Sequence, residues 1–144
     1  MSTAPVLLVE DNPDDVLLTR RALQRGRTGC ELAVAASGEE ALELLHGTEK
    51  GSTPSLLRPA LVLLDLKLPG ISGIEVLRRL RADERTRTVP VIVLTSSRVP
   101  KDVTECYELG ANSYLQKPVE FDPFVETMEA LSRYWLRWNV SPNE

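Results

Sequence analysis

The sequence predicts a doubly wound α/β domain: one five-stranded parallel sheet in the strand order 2-1-3-4-5, with helices on both faces. Two observations carry that reading. Apolar runs alternate with segments of helical period along almost the whole chain, and the central runs VLLV, LVLL and VIVL are continuously apolar. Strands buried on both faces read that way, whereas strands with one wet face alternate. Length supplies the third constraint: 144 residues can bury one core but not two ordinary ones. Residues 1–144 therefore read as a single domain, with a core over about 5–138 and a short polar tail at 139–144.

The elements follow in order. Strand β1 is placed at Val6–Val9 and helix α1 at Pro13–Arg25. Asn12 suits the N-cap and Pro13 the first helical position, and Asp14 and Asp15 fall where the helix macrodipole favours negative charge. Strand β2 is placed at Glu31–Ala35 and α2 at Gly38–His46. The stretch GTEKGSTPSLLRP, Gly47 to Pro59, is a loop by its Gly, Ser, Thr and Pro content and is longer than usual for such a domain; its Leu56-Leu57 pair is expected to pack locally or to meet a partner. Strand β3 is placed at Leu61–Leu64, α3 at Gly73–Ala82, β4 at Val91–Leu94 and α4 at Lys101–Leu109, with Gly110 as the cap that ends it. Strand β5 is placed at Ser113–Leu115 and α5 at Phe121–Trp138. Within α5, Phe124, Met128, Leu131 and Trp135 recur on one face. Tyr134 and Trp138 fall outside that face and are candidates for an interface.

Composition excludes several classes. With 17 basic and 21 acidic residues the formal charge is −4, which is no footprint for nucleic acid. The two Arg-rich stretches, RRALQRGR and RRLRADERTR, read as solvated helix faces. No basic and apolar leader and no membrane-length apolar run occurs, so no membrane association is expected and the protein should be cytoplasmic. Cys30 and Cys106 have no paired spacing and read as free thiols. His46, the single histidine, sits near a helix end, where a cation suits the dipole, and no phosphotransfer role is assigned to it.

In an open parallel sheet ligands bind beyond the carboxyl ends of the strands, where the connections reverse. The residues there are Glu10 and Asp11 after β1, Asp65 after β3, Thr95 and Ser96 after β4, and Lys117 after β5. With β1 beside β3, Glu10, Asp11 and Asp65 should meet. Each close pair of carboxylates repels by on the order of 4 kcal/mol at an effective dielectric of about 20. A hard divalent cation with oxygen ligands compensates, which points to Mg2+. Such an ion lets Asp65 act as a nucleophile toward a phosphoryl group, while Lys117 and the Thr95 hydroxyl take the remaining phosphoryl oxygens.

Four blocks, VLLVEDNPDD, LVLLDLKLPGISG, VPVIVLTSS and GANSYLQKP, resemble in order and spacing the signature blocks of the receiver domain of two-component response regulators. The resemblance runs from about Pro5 to Leu131 and implies the flavodoxin-like form of the predicted sheet. By it, Asp65 resembles the phosphoacceptor, Glu10 and Asp11 the metal-binding acidic pair, and Thr95 and Tyr114 the switch pair. Lys117 resembles the lysine that contacts the phosphoryl group, and Lys67 the position whose backbone carbonyl reaches the metal. Lys117-Pro118 resembles a cis peptide, and Lys67 and Ser97 stand at the variable positions that tune phosphoryl lifetime in the family. The implied activity is phosphoryl transfer from a sensor histidine kinase to Asp65, then slow hydrolysis, with Thr95 drawn inward and Tyr114 following to remodel the α4-β5-α5 face. The long loop and aromatic final helix are similar to stand-alone regulators that partner bacterial phytochrome kinases, which implies a bacteriophytochrome-type partner and a homodimer through the α4-β5-α5 region.

Rival readings are weaker. A haloacid-dehalogenase-type phosphotransferase needs a second Asp two residues after the first, and Lys67 stands there. A nucleotide or flavin site needs a phosphate-binding loop after β1, where Glu10 and Asp11 would repel it. A binding module that keeps the fold without phosphorylation remains the alternative. No DNA-binding or catalytic output segment is read after Trp138, so the expectation is output through protein contacts or service as a phosphate relay or sink.

Overall fold

A computed structural model describes residues 4–26, 29–48 and 56–142. Five parallel strands pair in the order β2-β1-β3-β4-β5, as the sequence predicts. Strands β1 (Val6–Val9), β3 (Leu61–Leu64) and β4 (Val91–Thr95) are buried along their whole length, while the edge strands β2 (Leu32–Ala35) and β5 (Ser113–Gln116) are only partly so. This explains why the three central runs carry no alternation.

Successive side chains point to opposite faces and build two cores. Leu7, Val9, Val62, Leu64, Val91 and Val93 face one way, onto α2 (Gly38–His46) and α3 (Gly73–Ala82). Val6, Leu8, Leu61, Leu63, Ile92 and Leu94 face the other, onto α1 (Pro13–Arg25) and α5 (Phe121–Arg133). The Asn12 cap behaves as read, and two serines that the sequence reading did not single out cap the next helices. The Asn12 side chain accepts from the N–H groups of Asp14 and Asp15, and Ser37 and Ser72 cap α2 and α3 through Glu40 N–H and Glu75 N–H.

Strand β2 begins one residue later than expected and β4 and β5 each end one residue later, and two helices also shift. Helix α4 runs Pro100–Glu108, one residue earlier than expected, because Pro100 takes the first helical position; Gly110 follows at φ 98°. Helix α5 is α-helical only to Arg133 and continues as a π-helical turn, Tyr134–Trp138, closed by Asn139 N–H to the Tyr134 carbonyl. Trp135 and Leu136 both pack against the α1–α5 core, whereas Tyr134 and Trp138 stay exposed at 48% and 70%. Most of Gly47–Pro59 (49–55) lies outside the described residues. At its end Leu57 packs on the α2–α3 core and its N–H reaches the Leu44 carbonyl, so that leucine packs locally.

Four of the five arginines in the second basic stretch are engaged within the fold through their side chains. Arg78 and Arg79 pair with Glu75, Arg85 pairs with Asp83, and Arg81 donates to the Gly110, Thr86 and Arg87 carbonyls and to Asn112 Oδ1. Cys106 is buried and Cys30 half-buried, both free thiols, and no described helix is long and apolar enough to cross a membrane.

Candidate functional site

Strand register builds the site. Val9 lies level with Ala35 on one side and Leu64 on the other, so β1 and β3 end in step. The ladder then continues one residue further: Glu10 N–H donates to the Ala35 carbonyl at 2.9 Å, Asp65 N–H to the Val9 carbonyl at 3.1 Å, and Lys117 N–H to the Thr95 carbonyl at 2.8 Å. The backbone of each residue is thereby held as firmly as the strand before it. Its side chain, just past the end of the sheet, is free to serve chemistry.

Glu10, Asp11 and Asp65 each offer a carboxylate oxygen, and those oxygens lie within 4.8 Å of one another. Glu10 is 3% exposed and Asp65 7%, while Asp11 is open to solvent. An oxygen-only donor set with two buried members and one accessible one suits a hard divalent cation that keeps part of its water shell. Lys67 sits at the exposed rim, its N–H directed at Asp65 Oδ1 at 3.4 Å.

The Lys117 ammonium lies among three carboxylates: Glu10, Asp15 at 2.9 Å and Asp65 at 3.2 Å. Burial pushes the Glu10 carboxyl up to about 7, against the pull of Lys117 and with help from the negative charge of Asp65. Lys117 moves above the usual lysine range: burial opposes its charge, but the hydrogen bonds to Glu10 and Asp15 and the charges of Glu10 and Asp65 prevail. The carboxylates around the ammonium therefore favour its charged form.

Thr95 is fully buried at the end of β4. Its hydroxyl oxygen accepts from Ser97 N–H at 3.4 Å, and the Ser97 carbonyl accepts from the Tyr114 hydroxyl at 3.0 Å. Ser97 Oγ accepts from Val99 N–H at 3.3 Å and donates to Asp102 Oδ2 at 2.8 Å, which ties the same loop to α4. The Tyr114 ring is packed against the α2–α3 core, and burial raises its hydroxyl pKa. Thr95, Ser97, Tyr114 and α4 thus form one hydrogen-bonded chain. The sequence shows Ser97 only as a variable neighbour of the site, because its part in the chain depends on a carbonyl, which every residue has.

Asp15 is the side chain the sequence misses. Its place in the first turn of α1 has a sufficient local explanation in the helix dipole, and nothing nearby in the chain points to Lys117, 102 residues away. The cis peptide is a correction: no cis bond occurs among the described residues, so Lys117-Pro118 is trans, the lower-energy form even before proline.

A family model described as the response regulator receiver domain matches residues 6–129. The chain is a member of the response-regulator receiver family. The probable methanogenesis regulatory protein FilR2 of Methanothrix harundinacea is 44% identical over 138 residues, 95% of this chain and 86% of that one. The phosphorylated cyanobacterial phytochrome response regulator RcpA matches at a TM-score of 0.90 with 30% identity, over 98% of this chain and 99% of that one. The Mn2+-bound form of Rcp1, a response regulator known from Synechocystis, matches at 0.90 with 32% identity, over 96% and 99% of the two chains. Receivers are signalling proteins rather than conventional enzymes, and the similarity here extends to stand-alone members of the family, among them phytochrome response regulators.

Proposed function

We propose that this receiver accepts a phosphoryl group from a sensor histidine kinase onto Asp65 and signals through a phosphorylation-dependent change of its surface. The observation that carries this reading is the convergence of Glu10, Asp11 and Asp65 beside a buried, charged Lys117. Glu10, Asp11, the Asp65 carboxylate and the backbone carbonyl of Lys67 would hold Mg2+. When bound, the ion neutralises the crowded carboxylates and offers a seat for a phosphoryl oxygen.

The chain's own residues do the rest. A carboxylate oxygen of Asp65 attacks phosphorus, the O–P bond forms and the N–P bond of the kinase phosphohistidine breaks, its electron pair returning to the imidazole, which takes a proton from solvent. Lys117 exchanges its Asp65 contact for a phosphoryl oxygen and offsets the charge that arrives with it. The Thr95 hydroxyl turns to another phosphoryl oxygen and releases Ser97 N–H. Ser97 also holds the Tyr114 hydroxyl and Asp102, so its loop carries the change to Tyr114 and to α4.

A kinase of the phytochrome type is the proposed partner, supported by the match to RcpA, and the cytoplasm is the compartment in which such a kinase would meet this chain. Incubation with Mg2+ and acetyl phosphate, read by intact mass, tests the core of the proposal. A gain of one phosphoryl group that disappears in Asp65→Asn is the expected result. No gain from acetyl phosphate or from a cognate kinase would leave a phosphorylation-independent binding module.

A further inference from the structure

We infer that Asp15 is the positioning residue for Lys117, the fixed counter-ion about which the ammonium turns during phosphoryl transfer. The inference rests on the phosphoacceptor reading of Asp65 and extends it to a residue outside the signature set.

An ammonium group has three N–H donors and no acceptor. In Lys117 three carboxylates surround it, from Glu10, Asp15 and Asp65, so a new oxygen can be taken only by giving one up. The three partners are not equivalent. Glu10 and Asp65 belong to the group of oxygens that lie within 4.8 Å of one another, where a cation would draw on both; Asp15 is not in that group. Asp65 also loses its carboxylate charge on becoming an acyl phosphate. Asp15 alone keeps its charge and its freedom from the cation through the whole cycle.

Its own geometry fits an anchor. The Asp15 main chain is tied on both sides: its N–H donates to Asn12 Oδ1 at 3.4 Å and its carbonyl accepts the Thr19 hydroxyl at 2.8 Å. The side chain is 24% exposed and reaches the lysine at 2.9 Å, closer than Asp65 does. Asp14, beside it in the same helical turn, is exposed, so the two aspartates share the helix dipole and differ in their relation to Lys117. That difference separates positioning from plain helix stabilisation.

The test compares wild type, Asp15→Asn, Asp15→Glu and Asp14→Asn. The limiting rate constant of phosphorylation and the half-saturating acetyl phosphate concentration are measured, with Mg2+ affinity by calorimetry and the Lys117 ammonium resonance by NMR without donor. In Asp15→Asn the limiting rate constant should fall by about tenfold, with half-saturation and Mg2+ affinity within about twofold of wild type. Its Lys117 resonance should broaden or vanish through faster proton exchange. Asp15→Glu should recover part of the rate, and Asp14→Asn should match wild type throughout. A wild-type rate or an unchanged ammonium signal in Asp15→Asn overturns the assignment. So does an equal loss in Asp14→Asn, or a rate loss matched by lost Mg2+ affinity. If wild type itself takes up no phosphoryl group, the phosphoacceptor reading fails instead, and the donor-free ammonium signal still decides whether Asp15 holds Lys117.

Discussion

Lys117 stands where a cation is needed before any metal arrives. Glu10 is buried with a carboxyl pushed up to about 7, and Asp65 is nearly as enclosed, so the ammonium is what keeps these acids tolerable at the end of the sheet. Removing one member of a buried charged cluster costs about 3–5 kcal/mol when nothing replaces it. Protonation of Glu10 relieves part of that cost. Lys117→Met should therefore destabilise the metal-free protein by about 2–3 kcal/mol, and saturating Mg2+ should restore most of the loss. Mg2+ itself should bind about tenfold more tightly in the variant, because a competing positive charge is gone. Thermal unfolding with and without Mg2+, together with calorimetric titration, checks both expectations; equal stability and equal affinity would show that the lysine does not compensate the acids. Glu10, Asp65 and Thr95 were legible as candidates because each directly follows an apolar run, but Asp15 was not. A carboxylate in the first turn of a helix looks the same whether it faces solvent or a lysine from the far end of the chain.

At the scale of elements, the loop between β3 and α3 carries Asp65, and Gly73 seats it. A side chain there would put its Cβ 2.1 Å from the Asp65 carbonyl oxygen and 2.7 Å from the Leu66 Cα, both backbone atoms with no rotamer to yield. Gly73 N–H also donates to the Leu66 carbonyl at 2.9 Å, so the first turn of α3 is pressed against the loop that leads out of the phosphoacceptor. Alanine is a better helix former than glycine by roughly 1 kcal/mol, yet Gly73→Ala should destabilise the fold by about 1–3 kcal/mol through overpacking. It should also slow labelling of Asp65 by acetyl phosphate. Denaturant unfolding and intact-mass time courses measure the two effects, and a stabilised, normally labelled variant would show that the loop gives way freely. The elements themselves were readable to within one or two residues apart from the end of α5, with Asn12, Pro13 and Gly110 marking ends that the structure keeps. The π-helical turn at Tyr134–Trp138 was not, since no local residue distinguishes it from continued α-helix; packing of both Trp135 and Leu136 accompanies it.

On the scale of the whole molecule, apolar side chains remain open on the side of α4, β5 and α5: Tyr107 and Phe121 are about half exposed, and Tyr134 and Trp138 lie beyond the end of α5. We propose that this face pairs two copies of the chain. Light scattering at rising concentration should show a dimer, and Phe121→Ser combined with Tyr107→Ser should shift it to monomer without loss of folded signal; monomer at every concentration, phosphorylated or not, would remove the proposal. Residue order recorded the five strand–helix repeats and the acids that end β1 and β3, because burial on both faces and chain-local caps leave marks in it. What those acids touch was settled by packing in three dimensions. Strand register brings Glu10 level with Asp65, and α1 swings Asp15 onto a lysine 102 positions away. Such contacts depend on distances between elements, and residue order carries no record of them.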